Sequence, residues 1–302
     1  MRETGVAFVV PVYNKEPHLG SVLRQIARQE GDFPRQYVFV DDGSTDGSLA
    51  ALRDLTAGWD DVVIESQDNK GSAGATNRAI ALVRQPYIKF VDADDLIGDF
   101  ATITLLDALD DSPACLAYGN VARYRDESGI DLHARVEHPA ATLIWRPLRQ
   151  AMRNSLFNPT QSLARTAAVR EVGGCDERIV HSQEYSLTLR LAQRWPLLRV
   201  EAPVAFLPEE APGRLSDDPA KQLQRVTLAL ANFLRDHPET EADLKRLACR
   251  RAAGRAWKYV YRHRGLSAMS LPWLWRYLWS YAPVGADAAD FIDTCCAAFE
   301  PT

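Results

Sequence analysis

Residues 87–95 read Tyr-Ile-Lys-Phe-Val-Asp-Ala-Asp-Asp, an apolar run that gives way to three carboxylates within four positions. Short runs rich in β-branched and aromatic residues predict strands. A strand is therefore expected at Tyr87–Val91, with Asp92, Asp94 and Asp95 just past its carboxyl end. Residues 37–46, Tyr-Val-Phe-Val-Asp-Asp-Gly-Ser-Thr-Asp, repeat the arrangement and predict a strand at Tyr37–Val40 followed by Asp41 and Asp42. Apolar runs at Val6–Val12, Val62–Glu65 and Cys115–Tyr118 predict further strands. Stretches with apolar residues three and four apart predict helices at Leu19–Gln29, Ser48–Ala57, Ala73–Val83 and Ala101–Leu109. Such alternation builds a mostly parallel sheet flanked by helices. Open sheets of this kind bind ligands beyond the carboxyl ends of their strands, which is where both acidic clusters fall.

Residues i and i+2 of an extended chain point the same way, so Asp92 and Asp94 can offer two carboxylates to one hard cation. Magnesium or manganese bridging a diphosphate fits that donor set. The plainer alternative is that these acids and Ser44 cap helices beginning at Ser44 or Leu96. Other phosphate chemistries make demands the chain does not meet. No G-x-G-x-x-G follows the first strand and no G-x-x-x-x-G-K-[ST] loop occurs. A phosphatase with an aspartate nucleophile at the first strand end is disfavoured too, because that strand runs into Pro11-Val12-Tyr13-Asn14.

Composition narrows the class further. With 302 residues, 46% hydrophobic and 25% charged, the chain is neither disordered nor fibrous. Its net charge of −5 argues against a dedicated nucleic-acid binder. The five cysteines are scattered without a CxxC spacing, which disfavours a zinc site or a disulfide framework. With no apolar run of ~20 residues and no secretory leader pattern, a cytoplasmic location is expected. After Val121 the pattern shifts to short mixed segments, with a hairpin expected around Asp126–Gly129 and a loop-rich stretch near Trp145–Pro147. A helix at Gln183–Arg194 and strands at Leu197–Val200 and Val204–Leu207 follow. Beyond Pro219 helices are expected at Ala220–Arg235, Glu241–Arg262, Leu271–Tyr281 and Ala286–Phe299. The expected organisation is a catalytic unit over residues 1–217, with a nucleotide-binding half to 120 and an acceptor-side half from 121, and a helical region over 218–302.

Taken in order, Pro11-Val12-Tyr13-Asn14, Val40-Asp41-Asp42-Gly43-Ser44-Thr45-Asp46, Asn69-Lys70-Gly71 with Asn77, and Asp92-Ala93-Asp94-Asp95 closely resemble the GT-A inverting glycosyltransferases of family two. Val172-Gly173-Gly174-Cys175-Asp176-Glu177 and Gln183-Glu184-Tyr185 look like that family's acceptor-side segments. The resemblance spans roughly Val6 to Leu207 and implies a GT-A fold, Rossmann-like, with a helical C-terminal extension. It implies a metal-dependent enzyme using Mn2+ or Mg2+ that moves a sugar from a nucleotide-diphosphate donor, UDP-linked, to a glycan or lipid-linked acceptor in surface polysaccharide synthesis. It assigns Pro11, Val12 and Tyr13 to backbone and stacking contacts with the nucleotide, although Tyr13 could equally be core. Asp42 falls on the uracil or ribose, Asn69 and Gly71 beside the nucleotide, Asp92 on the ribose or the metal shell, and Asp94 on the metal.

The resemblance makes Glu184 the base that deprotonates the acceptor, with Asp176 and Glu177 as alternatives. Three departures stand out. The family's Glu-Asp pair reads Gln183-Glu184 here, many relatives carry Arg where this chain has Thr76, and Pro212–Ser216 looks like a remnant of the family's donor-closing loop, without a histidine. Lys70 or Arg78 could replace the missing arginine, and Arg214 could reach the diphosphate. A sugar nucleotidyltransferase and a non-catalytic sugar-nucleotide-binding scaffold remain as rival readings.

The C-terminal region has its own signature. Eight Lys or Arg and no acid lie between Lys245 and Arg264, leaving the rest of the chain at −13, and four of the seven tryptophans follow or overlap them. A basic helix followed by an aromatic one suits peripheral contact of residues 245–281 with an anionic membrane. Packing of the aromatics against the catalytic unit or a second copy in a homodimer is the competing reading.

Overall fold

The computed structural model describes residues 4–179, 183–209, 218–267, 269–281 and 287–300. The chain begins with β1 (Val6–Val12), α1 (Glu16–Ala27), β2 (Arg35–Asp41), α2 (Ser48–Leu55), β3 (Val62–Ser66), α3 (Gly71–Leu82) and β4 (Tyr87–Phe90). These four strands are parallel in the order β3-β2-β1-β4, with Val10 opposite Phe39 and Val9 opposite Phe90. Their carboxyl ends therefore open onto one edge. Alternation along β1 explains why both faces are covered. Phe8, Val10 and Val12 join the side chains of α1 and α2 in one core, whereas Ala7 and Val9 point to the other, where Ala75 and Ala79 of α3 wait.

The second half completes a nine-stranded sheet with β5 (Leu96–Ile97), α4 (Ala101–Asp110), β6 (Leu116–Tyr124), β7 (Ala141–Ile144), α5 (Leu148–Arg153), β8 (Ser162–Arg165), α6 (Thr166–Glu171), α7 (Gln183–Arg194) and β9 (Leu197–Pro208). Strand β8 pairs antiparallel with both β4 and β6, and β7 pairs with β9. The hairpin expected at Asp126–Gly129 does not form. A single 3-10 turn over Glu127–Gly129, with the Asp126 side chain accepting from the Ser128 N–H, carries the chain away from β6. The two strands expected on either side of Pro203 are one continuous β9. Proline lacks a ladder donor, and the register slips by a bulge opposite Asn120 instead of ending the strand.

The C-terminal region is helical, with α8 (Pro219–Asp236), α9 (Ala242–Arg264), α10 (Leu271–Trp279) and α11 (Ala288–Asp293), closed by a 3-10 turn over Thr294–Phe299. Asp218 caps α8 by accepting from the N–H groups of Ala220 and Lys221, and Pro219 fills a first-turn position that needs no donor. Helix α7 lies between two cores. Leu187 and Leu191 face the sheet, while Tyr185 and Leu189 pack with Leu230 and Phe233 of α8 and Ala252 of α9. The C-terminal helices thus buttress the helix whose first turn carries Glu184.

Candidate active site

The loops at the carboxyl edge lock onto one another before any ligand is considered. Asn14 sits in the left-handed region at φ 51°, which its short polar side chain tolerates. Its carboxamide oxygen accepts from the Thr45 N–H at 2.8 Å, and its own N–H donates to Ser44 Oγ at 3.0 Å. Asp42 is buried; its Oδ1 accepts from the Lys70 N–H at 2.9 Å and from Gln67 Nε2 at 2.7 Å. The loop after β3 is thereby hung from the end of β2. Gly43 has φ 72° and a Cβ there would stand 3.1 Å from the Asn69 nitrogen, so this crossing admits only glycine without displacement. Gly71, at φ 77°, opens α3 with its N–H on Asn69 Oδ1. Pro11, Val12, Tyr13, Asp42, Asn69 and Gly71 thus converge on one edge. Val12 turns its side chain into the core, while Tyr13 is 46% exposed and is not a core residue.

Residues 92–95 depart from the extended geometry expected of them. Strand β4 stops at Phe90, and the Asp95 N–H returns to the Asp92 carbonyl at 3.1 Å in a tight turn. Asp95 caps no helix. Its Oδ2 accepts from Thr160 Oγ1 at 2.8 Å, and the same hydroxyl accepts from the Asp92 N–H at 3.0 Å. Nor does Ser44 begin a helix, since α2 starts at Ser48. The turn still gathers charge. Burial raises the Asp92 carboxyl well above the ordinary carboxylate range, the charges of Asp95, Asp94 and Glu184 push the same way, and Lys15 partly offsets them.

Two lysines that the sequence reading missed balance this cluster. Lys15 Nζ donates to Asp94 Oδ2 at 2.7 Å across 79 positions of sequence. Lys89 is wholly buried in β4, its ammonium donating to the carbonyls of Phe90, Thr160 and Ser162. Burial lowers Lys89 to about 7, against the opposing pull of Asp95 and Asp92. A lysine inside an otherwise apolar strand was the available signal for the second. For the first there was only its place in the loop after β1.

Glu184, in the first turn of α7, lines a small cavity of ≈ 20 Å³ with Asp92, Pro11, Thr76, Phe157 and Leu187. Withdrawal from water raises its carboxyl from 4.5 to about 7, a backbone hydrogen bond opposing. That value suits a group that must take up a proton near neutrality. The alternative bases are engaged elsewhere. Burial alone would raise Asp176, but two hydrogen bonds from Arg178 at 2.8 Å outweigh it and hold the carboxyl below its ordinary value. Glu177 accepts from Asn77 Nδ2 at 2.7 Å, and the same amide nitrogen donates to the Cys175 carbonyl at 3.0 Å. Asn77 is thus a clip between α3 and the Gly174–Glu177 turn.

Thr76, at the position where the resemblance led one to expect arginine, is buried and its hydroxyl finds no partner among the described residues. Arg78 does not replace that arginine, because it pairs with Glu65 on the surface at 2.5 and 2.8 Å. Lys70 is exposed at the loop. The Pro212–Ser216 segment with Arg214, and the Gln183 side chain, lie outside the described residues.

The profile of the family described as "Glycosyl transferase family 2" matches residues 7–177, from β1 through the turn that holds Asp176. The chain belongs to glycosyl transferase family 2. Among curated relatives, the chain is 38% identical over 103 residues to a poly(ribitol-phosphate) beta-glucosyltransferase of Bacillus spizizenii, covering 32% of this chain and 16% of that protein. It is 30% identical over 125 residues to the glycosyltransferase GlyG of Streptococcus pneumoniae, covering 41% of each. The chain thus spans well under half the length of the curated relatives it matches.

Among solved structures, S. aureus TarS 1-349 in complex with UDP-GlcNAc superposes with a TM-score of 0.68 at 15% identity, covering 98% of this chain and 91% of the other. The mannosyltransferase PcManGT of Pyrobaculum calidifontis, in complex with GDP-Man and Mn2+, superposes at 0.61 with 18% identity, covering 99% and 86%. The family 2 chain therefore has the GT-A fold with a helical C-terminal part.

Proposed function

We propose that this chain is an inverting glycosyltransferase that takes a sugar from a UDP-linked donor and places it on a hydroxyl of a glycan or lipid-linked acceptor during assembly of a cell-surface polymer. The observation that carries the reading is Glu184, held near neutral pKa in a cavity it shares with Asp92 at the donor edge. The poly(ribitol-phosphate) glucosyl transfer of the Bacillus spizizenii relative and the UDP-GlcNAc bound to TarS support the donor and polymer classes. On this reading residues 1–217 form the catalytic unit and 218–302 its helical support.

The reaction is one displacement. The acceptor oxygen attacks the anomeric carbon as the bond to the diphosphate breaks, the electron pair leaves with the diphosphate oxygen, and the hydroxyl proton passes to Glu184. Tyr13, exposed at the end of β1, offers its ring to the base, and the loops fixed by Asp42, Asn69 and Gly71 bring backbone close to the nucleotide. Asp92 would meet the ribose or the shell of the cation.

Among the described residues no group of three His, Cys, Asp or Glu side chains is arranged as a complete metal cage. Asp94 and Asp92 nevertheless fit a hard cation of the kind that uses one or two carboxylates and completes its shell with phosphate oxygens and water. Held there, Mn2+ or Mg2+ would supply Lewis-acid stabilisation of the leaving diphosphate. Lys15 is the counter-charge Asp94 already has. A partly exposed ion pair of this kind is worth at most ~1 kcal/mol, so Lys15→Met should tighten Mn2+ binding to the free protein by about fivefold. Titration calorimetry with Mn2+ alone reads this, and unchanged or weaker binding would remove Lys15 from that role.

The donor assignment is tested by thermal shift with nucleoside diphosphates, since a ligand that binds only the folded state raises the melting temperature. UDP with Mn2+ should give the largest rise. A larger response to another nucleotide would correct the base, and no response to any would overturn the reading.

A further inference from the structure

Helix α10 is divided lengthwise. Trp273 and Tyr277, four apart, pack into the helical core with α9. Leu271, Trp275, Leu278 and Trp279, spaced as one face of a helix, point outward, with Trp275 62% and Trp279 72% exposed. The turn before them adds exposed Leu266 and Met269. An apolar stripe with two nearly bare tryptophans is costly in water and marks an interaction surface.

Its rim is basic. Lys258 and Arg262 are exposed on the last turns of α9, and Arg264 reaches to 3.9 Å from Met269 Sδ, so charge and apolar surface adjoin. Arg250 lies over the Tyr281 ring at 4.7 Å, joining the middle of α9 to the chain just past α10. From Leu244 to Ala286 the sequence has no Asp or Glu at all. No helix among the described residues is long and apolar enough to cross a membrane.

We infer that this face is a membrane-docking surface. The α10 stripe enters the headgroup layer of an anionic bilayer, and Lys258, Arg262 and Arg264 face its phosphates. Tryptophan favours that boundary because its ring is apolar and its N–H wants a polar partner. The charge pattern separates this occupant from a second copy of the chain. A two-fold contact would set the same patch against itself, and with no acid from Leu244 to Ala286 the patch has no charge of its own to answer its cations, whereas an anionic lipid surface answers them with opposite charge. The inference does not depend on the transfer reaction, since docking requires neither donor nor acceptor.

The test is cosedimentation of the whole chain with vesicles of phosphatidylcholine alone and of phosphatidylcholine with phosphatidylglycerol, at low and high salt. The chain should bind the phosphatidylglycerol vesicles and release them as salt rises. Trp275→Ala with Trp279→Ala, and separately Lys258→Gln, Arg262→Gln and Arg264→Gln together, should each weaken binding by about tenfold or more. Both variants should keep the parent's melting temperature, because the altered side chains lie on the surface. Failure to bind phosphatidylglycerol vesicles, equal binding to neutral ones, or binding indifferent to both variants would overturn the inference. So would a dimer, seen by analytical ultracentrifugation, that the tryptophan variant splits.

Discussion

Glu184→Gln should lower the rate of sugar transfer by about a hundredfold to ten-thousandfold, the range a positioned general base contributes, while leaving the affinity for UDP nearly unchanged. The amide keeps the size of the carboxyl and removes its basicity, so the loss falls on the rate of transfer and not on donor binding. The pH profile adds a second signature. Withdrawal from water raises the Glu184 carboxyl to about 7, and a base must be ionised to work. Activity of the parent should therefore climb as pH rises through about 7 and then level off, and the residual activity of the variant should lack that limb.

Stability moves in the opposite sense. A carboxyl whose folded pKa lies above its unfolded value makes its full favourable contribution below the unfolded pKa and loses it as pH rises through the folded one. The parent should thus lose stability between about pH 4.5 and 7, from the shift in Glu184. The glutamine variant should escape that loss and melt above the parent on the alkaline side. A variant that transfers at nearly the parental rate would move the proton acceptor elsewhere, even if the stability change appeared.

Asp94→Asn carries the second large effect. On the proposed reading, removing this carboxylate takes away the side chain that would hold a cation beside the diphosphate, and it leaves Lys15 without its charged partner at 2.7 Å. A Lewis acid on a departing diphosphate is worth several kcal/mol, so transfer should fall by about a thousandfold. The stimulation of UDP binding by Mn2+ should vanish with it. The two variants are distinguishable, because Glu184→Gln keeps the manganese-dependent rise in melting temperature with UDP and Asp94→Asn does not. Should Asp94→Asn retain that rise, the cation is held by other groups.

Much of the architecture was legible because the strands at the centre of a doubly covered sheet must be apolar on both faces. The runs at Val6–Val12 and Tyr37–Val40 therefore announced β1 and β2 and, with them, the edge where Asp42 and Asp92 fall. The helices after Pro219 were also plain from their periodicity, but the last, expected over Ala286–Phe299, is helical only over Ala288–Asp293 and then tightens into a 3-10 turn. What escaped were short elements such as β8 and α6, whose four and six residues carry too little periodic signal, and β9, whose internal proline reads as a break.

At the candidate site, the resemblance could nominate Asp94 and Glu184, but their electrostatic setting could not be read from the sequence. The turn that brings Asp95 back to Asp92 is closed by Thr160, 65 positions from Asp95. The pairing of Lys15 with Asp94 joins loops of two different strands. The raised carboxyl of Glu184 comes from its withdrawal from water, in a cavity lined also by Pro11, Phe90 and Phe157 from distant segments. Such facts belong to tertiary proximity, and residue order alone does not encode them legibly.

The most direct measurement is UDP release from a panel of UDP-sugars, followed as Mn2+ is chelated and restored, for the parent chain beside Glu184→Gln and Asp94→Asn. The account predicts manganese-dependent release from at least one donor by the parent and a loss of at least about a hundredfold in each variant. Absence of release from every UDP-sugar, or release by both variants at the parental rate, would contradict it.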